Sequence, residues 1–210
     1  MRATRIETRV QRAGGLVTLV AVALLLRGIG GALRRPRGRA TGHARRVLRA
    51  PVCVVESLLF FMACGWLWRP LPLALSQSGR VLALVLGTPL YIAGLLFVVW
   101  GRWALGEMYH VSSGFGVQLH AGHRLVTQGP YARLRHPMYL GVALAGLGGL
   151  LLYRTWTFAL VTALVPGLQR RARREEQALA AEFGEAWATY CQHVPPWRPR
   201  PRGRRDSREG

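Results

Sequence analysis

Lysine is absent: all 29 basic side chains among the 210 residues are arginine, set against nine acids for a formal net charge of +20. Arginine and alanine abundance without lysine suggests the codon usage of a GC-rich bacterial genome. The three cysteines, Cys53 and Cys64 inside an apolar segment and Cys191 near the tail, form no secreted disulfide framework. His110, His120, His123 and His136 lack tight ligand spacing and have no Cys or Asp beside them, so no metal site is expected. Nucleic acid is not an expected partner either. The basic runs flank apolar segments and carry few interleaved aromatics, so anionic lipid and membrane topology account for them more simply.

The hydrophobic content, 50% of the chain, is gathered into long runs between blocks of arginine. That alternation indicates several bilayer crossings joined by basic loops. Residues 16–33 form the first run, interrupted by Arg27 and preceded by Arg2, Arg5, Arg9 and Arg12. No small-x-small cleavage site follows it, so it reads as a weak membrane helix and not a signal peptide. Residues 52–68 are apolar apart from Glu56 and Ser57 and end on Trp66 and Trp68. Residues 81–101 match the ~20 residues that cross a bilayer. The run 138–168 is too long for one crossing and is broken by YRTW at 153–156, which predicts two short helices in a hairpin. The expected fold is all-α and polytopic, with about five transmembrane helices, the last two forming the hairpin. Its organisation is expected to be N-terminal membrane helices over 1–101, a core over 102–197 and a disordered Pro/Arg-rich tail over 198–210.

Loop charge orients this arrangement. Residues 34–50 hold seven arginines and 169–210 hold ten, whereas 69–80 hold only Arg69 and Arg80. Segments 34–50, 102–137 and the C-terminus are therefore expected in the cytoplasm of a multi-pass protein of the bacterial inner membrane, with 69–80 and 153–156 outside. If residues 16–33 cross, the four N-terminal arginines lie outside, against the rule.

Two cytoplasmic stretches hold the chemistry-bearing residues. In HRLVTQGPYARLRHPMYLG (123–141), Gly129-Pro130 signals a turn and Pro137 the first turn of a helix, which puts Arg135-His136 at a helix entrance. Donors there favour a carboxylate-bearing ligand, though interfacial capping by Arg, His and the Tyr131/Tyr139 belt explains the same residues. RRARREEQALAAEFGEAWATYCQHVPPW (170–197) has helical periodicity with a stop at Gly184. Arg171 and Glu175 stand four apart, as a solvated ion pair would, in front of the chain's only Glu pair.

These two blocks resemble the patterns H-x-L-V-x-x-G-x-Y-x-x-x-R-H-P-x-Y-x-G and E-E-x-x-L-x-x-x-F-G-x-x-[YW]-x-x-Y-x-x-x-V-P. Both belong to the isoprenylcysteine carboxyl methyltransferase and phospholipid methyltransferase group. The order and the apolar hairpin between them also agree, and the likeness covers residues ~102–197. The resemblance implies an S-adenosylmethionine-dependent methyltransferase acting on a small hydrophobic or lipid-like acceptor through a carboxyl, thiol, amine or headgroup. It implies that His123, Leu125 and Val126 line the nucleoside, and that Tyr131, His136, Pro137, Met138 and Tyr139 complete that wall. Glu175 would take the methionyl ammonium, Arg171 would face the acceptor, and Gln118 would match an upstream cofactor contact. Two other readings make different predictions. An NADPH-dependent membrane reductase of related architecture would bind a nicotinamide, and a non-enzymatic anionic-lipid-binding protein would bind neither cofactor.

Overall fold

The structure is a computed structural model that describes residues 2–34, 37–42, 50–109, 112–113, 116–120 and 122–197. At 2–4, 27–34, 50–54 and most strand positions only the backbone is described. His110 and the tail 198–210 lie outside the described residues.

Among the described residues seven helices carry the fold: α1 (Arg2–Arg34), α2 (Ala50–Trp66), α3 (Gln77–Leu105), α4 (Pro137–Tyr153), α5 (Trp156–Ala163), α6 (Val165–Phe183) and α7 (Glu185–His193). The all-α expectation holds for the bulk of the described chain, and one small sheet stands beside the helices. Strands β1 (Arg37–Gly42), β2 (Ser112–Ser113) and β3 (Gly116–His120) form a small antiparallel sheet in the order β1-β3-β2. Segments such as RGRATG carry no apolar alternation, so nothing in the periodicity announces a strand. The sheet does bury something: Leu119 of β3 is 1% exposed against Ala178 of α6.

The centre of the molecule is the antiparallel pair α3 and α4, joined along a glycine seam. Gly87, Gly94 and Gly101 recur every seven residues on α3, and Gly141 and Gly148 do so on α4. A Cβ built on Gly94 would stand 2.6 Å from the Gly141 carbonyl oxygen, and one on Gly141 would stand 2.7 Å from that of Gly94. A Cβ on Gly148 would stand 2.8 Å from the Gly87 carbonyl oxygen. Small residues at such a seam let two backbones touch, which is how helices associate where lipid offers no hydrophobic drive. The other side of α4 receives α5, with Gly149 under the Phe158 ring and Gly146 facing Val161.

α1 lies on this pair through a polar and small stripe, Glu7, Gln11, Gly14 and Thr18. Gln11 Nε2 donates to the Leu152 carbonyl (2.8 Å) and the Tyr153 hydroxyl to the Gln11 carbonyl (2.9 Å). The Thr18 and Tyr91 hydroxyls are hydrogen-bonded, and Glu7 is paired with Arg154. Arg80, at the start of α3, is the second guanidinium near Glu7 (4.0 Å). The start of α1 thus sits at the α4–α5 turn.

That turn falls at Arg154-Thr155, as the YRTW interruption predicts. Arg154 adopts a left-handed conformation (φ 50°) and its N–H closes α4 onto the Leu150 carbonyl. The second arm is shorter than expected. α5 has eight residues and α6 begins at Val165, inside the run read as membrane helix up to 168. Pro166 is the cause: it lacks an N–H and clashes with the carbonyl four residues back, so it ends one helix and opens the next.

Two described helices are long and apolar enough to cross a membrane, within Arg5–Leu26 and Gln77–Met108. The apolar stretches Val55–Trp66 and Pro137–Tyr153 are shorter. Exposed Leu59, Phe61 and Met62 on α2 and Leu19 and Val20 on α1 give these helices lipid-like outer faces.

Candidate functional site

The ends of α3, α4, α6 and α7 that lie away from the Glu7–Arg154 pair enclose a cavity of about 790 Å³, part of it open to solvent. That size accommodates a small-molecule ligand or cofactor. α3 delivers Leu105 and is followed by Tyr109; Gly106 (φ +48°) ends the helix and lets the chain turn away. The extended run after Gly122 brings in His123, Leu125 and Val126. The 3₁₀ turn Gly129–Ala132 opens on Gly129 at φ +61° and buries Tyr131 in the wall.

Pro137 opens α4, so the residues before it are held in an extended path. Arg135 and His136 donate their backbone N–H groups to the Pro195 and Pro196 carbonyls (3.0 and 3.2 Å). Met138 and Tyr139 then project into the cavity from the first turn. Facing them, Arg171, Glu175 and Leu179 stand four residues apart on one side of α6. Gly184 (φ +51°) breaks α6 and allows α7 to fold back, closing the cavity with Trp187 and Tyr190.

The polar centre is Glu175. The Tyr139 hydroxyl donates to its Oε1, Arg171 Nε lies 3.7 Å from the same oxygen, and the Arg171 guanidinium stands 5.6 Å over the Tyr139 ring. The neighbouring Glu176 turns to the other side, accepting from His136 Nε2 (2.7 Å), with Arg135 3.3 Å away. Burial alone would push the Glu176 carboxyl up, but the hydrogen bond and charge of His136, with Arg135 and Arg173, hold it below its ordinary value. Burial raises Tyr109 against the opposing charges of Arg171 and Arg102. Burial raises Tyr131 as well, reinforced by Glu175, and Tyr190 despite Arg135. All three phenols therefore stay protonated near neutrality, and Tyr190 donates to the Tyr131 carbonyl (2.7 Å).

Nine residues singled out from the sequence, His123, Leu125, Val126, Tyr131, His136, Met138, Tyr139, Arg171 and Glu175, line this one cavity. Pro137 does not line it: it is fully buried at the helix start. The Gln118 backbone pairs with Ala40 in the sheet, and its side chain lies outside the described residues. Tyr190 had a readable signal, since Trp187, Tyr190 and Val194 follow one helix face and share a core cluster. Leu105 and Tyr109 had none, being an apolar helix end and an isolated aromatic. Among the described residues no group of three His, Cys, Asp or Glu side chains is placed to hold a metal ion.

A carboxylate, two guanidiniums, neutral phenol donors and an apolar wall of Leu125, Val126 and Leu179 suit a ligand with distinct parts. It would carry an ammonium, a carboxylate and a flat ring system.

The family model for phospholipid methyltransferase matches residues 82–186, half of the chain. A protein-S-isoprenylcysteine O-methyltransferase of Schizosaccharomyces pombe is 36% identical over 75 residues, which is 35% of this chain and 32% of that protein. The solved structure of a eukaryotic intramembrane Ras methyltransferase, an isoprenylcysteine carboxyl methyltransferase, is 22% identical. It covers 71% of this chain and 51% of its own, with a TM-score of 0.48. The match thus spans about a third of the first relative's length and about half of the second's.

Proposed function

This chain belongs to the phospholipid methyltransferase family, and from that premise we propose that it transfers methyl groups from S-adenosylmethionine to a hydrophobic or lipid-like acceptor at the membrane. One observation carries the reading. Two sequence blocks separated by an apolar hairpin bring nine residues to one cavity, with Glu175 at its polar centre.

The cavity residues fit the cofactor's chemistry. Glu175 would hold the methionyl ammonium by a charge-assisted hydrogen bond, strengthened by its burial. Leu125, Val126 and the ring of His123 would line the nucleoside, and Tyr131 and Tyr139 would complete the wall. Bound S-adenosylmethionine supplies an electrophilic methyl group on a sulfonium. The protein's part is placement and dryness. Arg171 would hold the acceptor's polar end, Leu179 and Trp187 would exclude water, and the protonated phenols would donate without competing as nucleophiles. An acceptor that needs no general base, such as a carboxylate, suits a cavity built this way.

In the bilayer, we place five crossings: α1, α2, α3, α4 and the short α5 continuing into α6. The arginine-rich start of α6 and the cavity face the cytoplasm, following the charge rule. α3 spans ~37 Å between Arg80 and Leu105 at 1.5 Å per residue, so the Glu7 end of α1 lies on the opposite side. α1 would then cross with its arginines outside, held there by the Glu7 pairing with Arg154.

The test is transfer of label from methyl-tritiated S-adenosylmethionine into the organic phase of a reaction with membrane lipid extract. Transfer by the wild type and loss in Glu175→Ala is the expected result. Label that stays in the aqueous phase with every lipid and hydrophobic carboxylate or amine supplied would count against a lipid-like acceptor.

A further inference from the structure

Glu175 and Glu176 are adjacent, yet only Glu175 lines the cavity. The Glu176 carboxylate is instead committed to two residues from the entrance of α4. His136 Nε2 lies 2.7 Å from its Oε1 and Arg135 Nη1 lies 3.3 Å from the same atom. Both partners do line the cavity. His136 is 6% exposed and its ring stacks on Tyr139 (centroids 5.7 Å, 18°) and packs against Trp197 (5.2 Å, 31°), two rings that also touch each other (6.4 Å), so it has little freedom except a ring flip. The same Arg135 Nη1 donates to Cys191 Sγ (2.8 Å), and the guanidinium stands 5.9 Å over the Trp187 ring.

A carboxylate that stays ionised can only accept hydrogen bonds. The proton between it and His136 therefore sits on Nε2, and ring orientation and tautomer are set together. We propose that Glu176 is a positioning residue of the methyltransferase cavity, acting through His136: it fixes the proton on Nε2 and holds the α4 entrance against α6. It touches neither cofactor nor acceptor. The inference rests on the methyltransferase reading for its effect on cofactor affinity, but not for its effect on the histidine ring.

Glu176→Gln keeps the shape and loses the constraint, because an amide can accept from Nε2–H or donate to a bare Nε2. The readout is a double-mutant cycle on S-adenosylhomocysteine affinity, measured by calorimetry on the full chain in detergent. Glu176→Gln is expected to weaken binding about ten-fold, the scale of losing a hydrogen bond to a charged group. In a His136→Asn background the same change is expected to cost less than about two-fold, because its target is gone. An undiminished loss in that background, or none in the wild-type background, would overturn the proposal. A second measurement needs no ligand: nitrogen-15 spectra of labelled histidine in the free wild type should show His136 with Nε2 protonated. They should show an Nδ1–H population in Glu176→Gln. A bare Nε2 in the wild type would refute the positioning role by itself. A folded wild type with the expected spectrum but no S-adenosylhomocysteine binding would instead sink the methyltransferase reading.

Discussion

Replacing Gly94 with alanine tests whether the α3–α4 seam sets the geometry of the site. The added Cβ would stand 2.6 Å from the Gly141 carbonyl oxygen and 2.8 Å from the Ala145 Cα, both backbone atoms that cannot rotate away. Ordinary contact begins at 3.4 Å, roughly 0.8 Å beyond the first of these distances, so the helices must part along a seam otherwise closed by Gly141 and Gly148. Overpacking of this kind costs about 1–3 kcal/mol. The separation also reaches the cavity, because Gly101 at the same seam touches Met138 beside His136 and Tyr139. Denaturant unfolding in mild detergent should show that loss of stability, and S-adenosylhomocysteine affinity should fall with it. Gly15→Ala on α1 is the control: its Cβ would meet nothing within 4 Å, and relief of glycine's helix penalty should add about 0.5–1 kcal/mol. A Gly94→Ala protein as stable as the wild type would refute the close-contact account of the seam.

Other consequences follow from the polar groups. Tyr139→Phe removes the donor to Glu175 and should weaken S-adenosylhomocysteine binding about ten-fold in calorimetry, without loss of fold. Glu176 has a folded-state pKa below its unfolded value of 4.5, so its contribution is fully present above that pH. It is lost as pH falls through the folded value; acid titration of stability should therefore show less loss below pH 4.5 in Glu176→Gln than in the wild type. Glu7→Gln leaves Arg154, whose side chain is 18% exposed, without its anion and should destabilise the protein by about 3 kcal/mol in denaturant titration. In a cysteine-free background, Arg5→Cys should react with an impermeant thiol reagent from the same side as Leu73→Cys and opposite to Gln177→Cys. Labelling of Arg5→Cys together with Gln177→Cys would contradict the placement of α1.

Much of the candidate site is legible in the sequence, because the two motif blocks carry their own placement signals. Gly129-Pro130 and Pro137 shape the α4 entrance, and the i, i+4 spacing of Arg171, Glu175 and Leu179 selects one face of α6. The hairpin turn was legible from YRTW for the same local reason. What could not be read depends on distant partners. The stripe Glu7, Gln11, Gly14 and Thr18 makes sense only beside Arg154, Leu152, Tyr153 and Tyr91, which are more than 70 residues away. The seven-residue glycine spacing on α3 has meaning only against its match on α4. Strand β3 is recognisable by its partners and by buried Leu119, not by its own composition. Pro166 was a readable breaker whose force was masked by the apolar residues around it.

The central claim is that the cavity centred on Glu175 binds S-adenosylmethionine, and calorimetric titration of the detergent-purified chain with S-adenosylhomocysteine addresses it most directly. The wild type should bind one equivalent saturably, and Glu175→Ala should lose at least ten-fold in affinity while remaining folded. A folded wild type that gives no binding heat and no competition with labelled S-adenosylmethionine would contradict the claim.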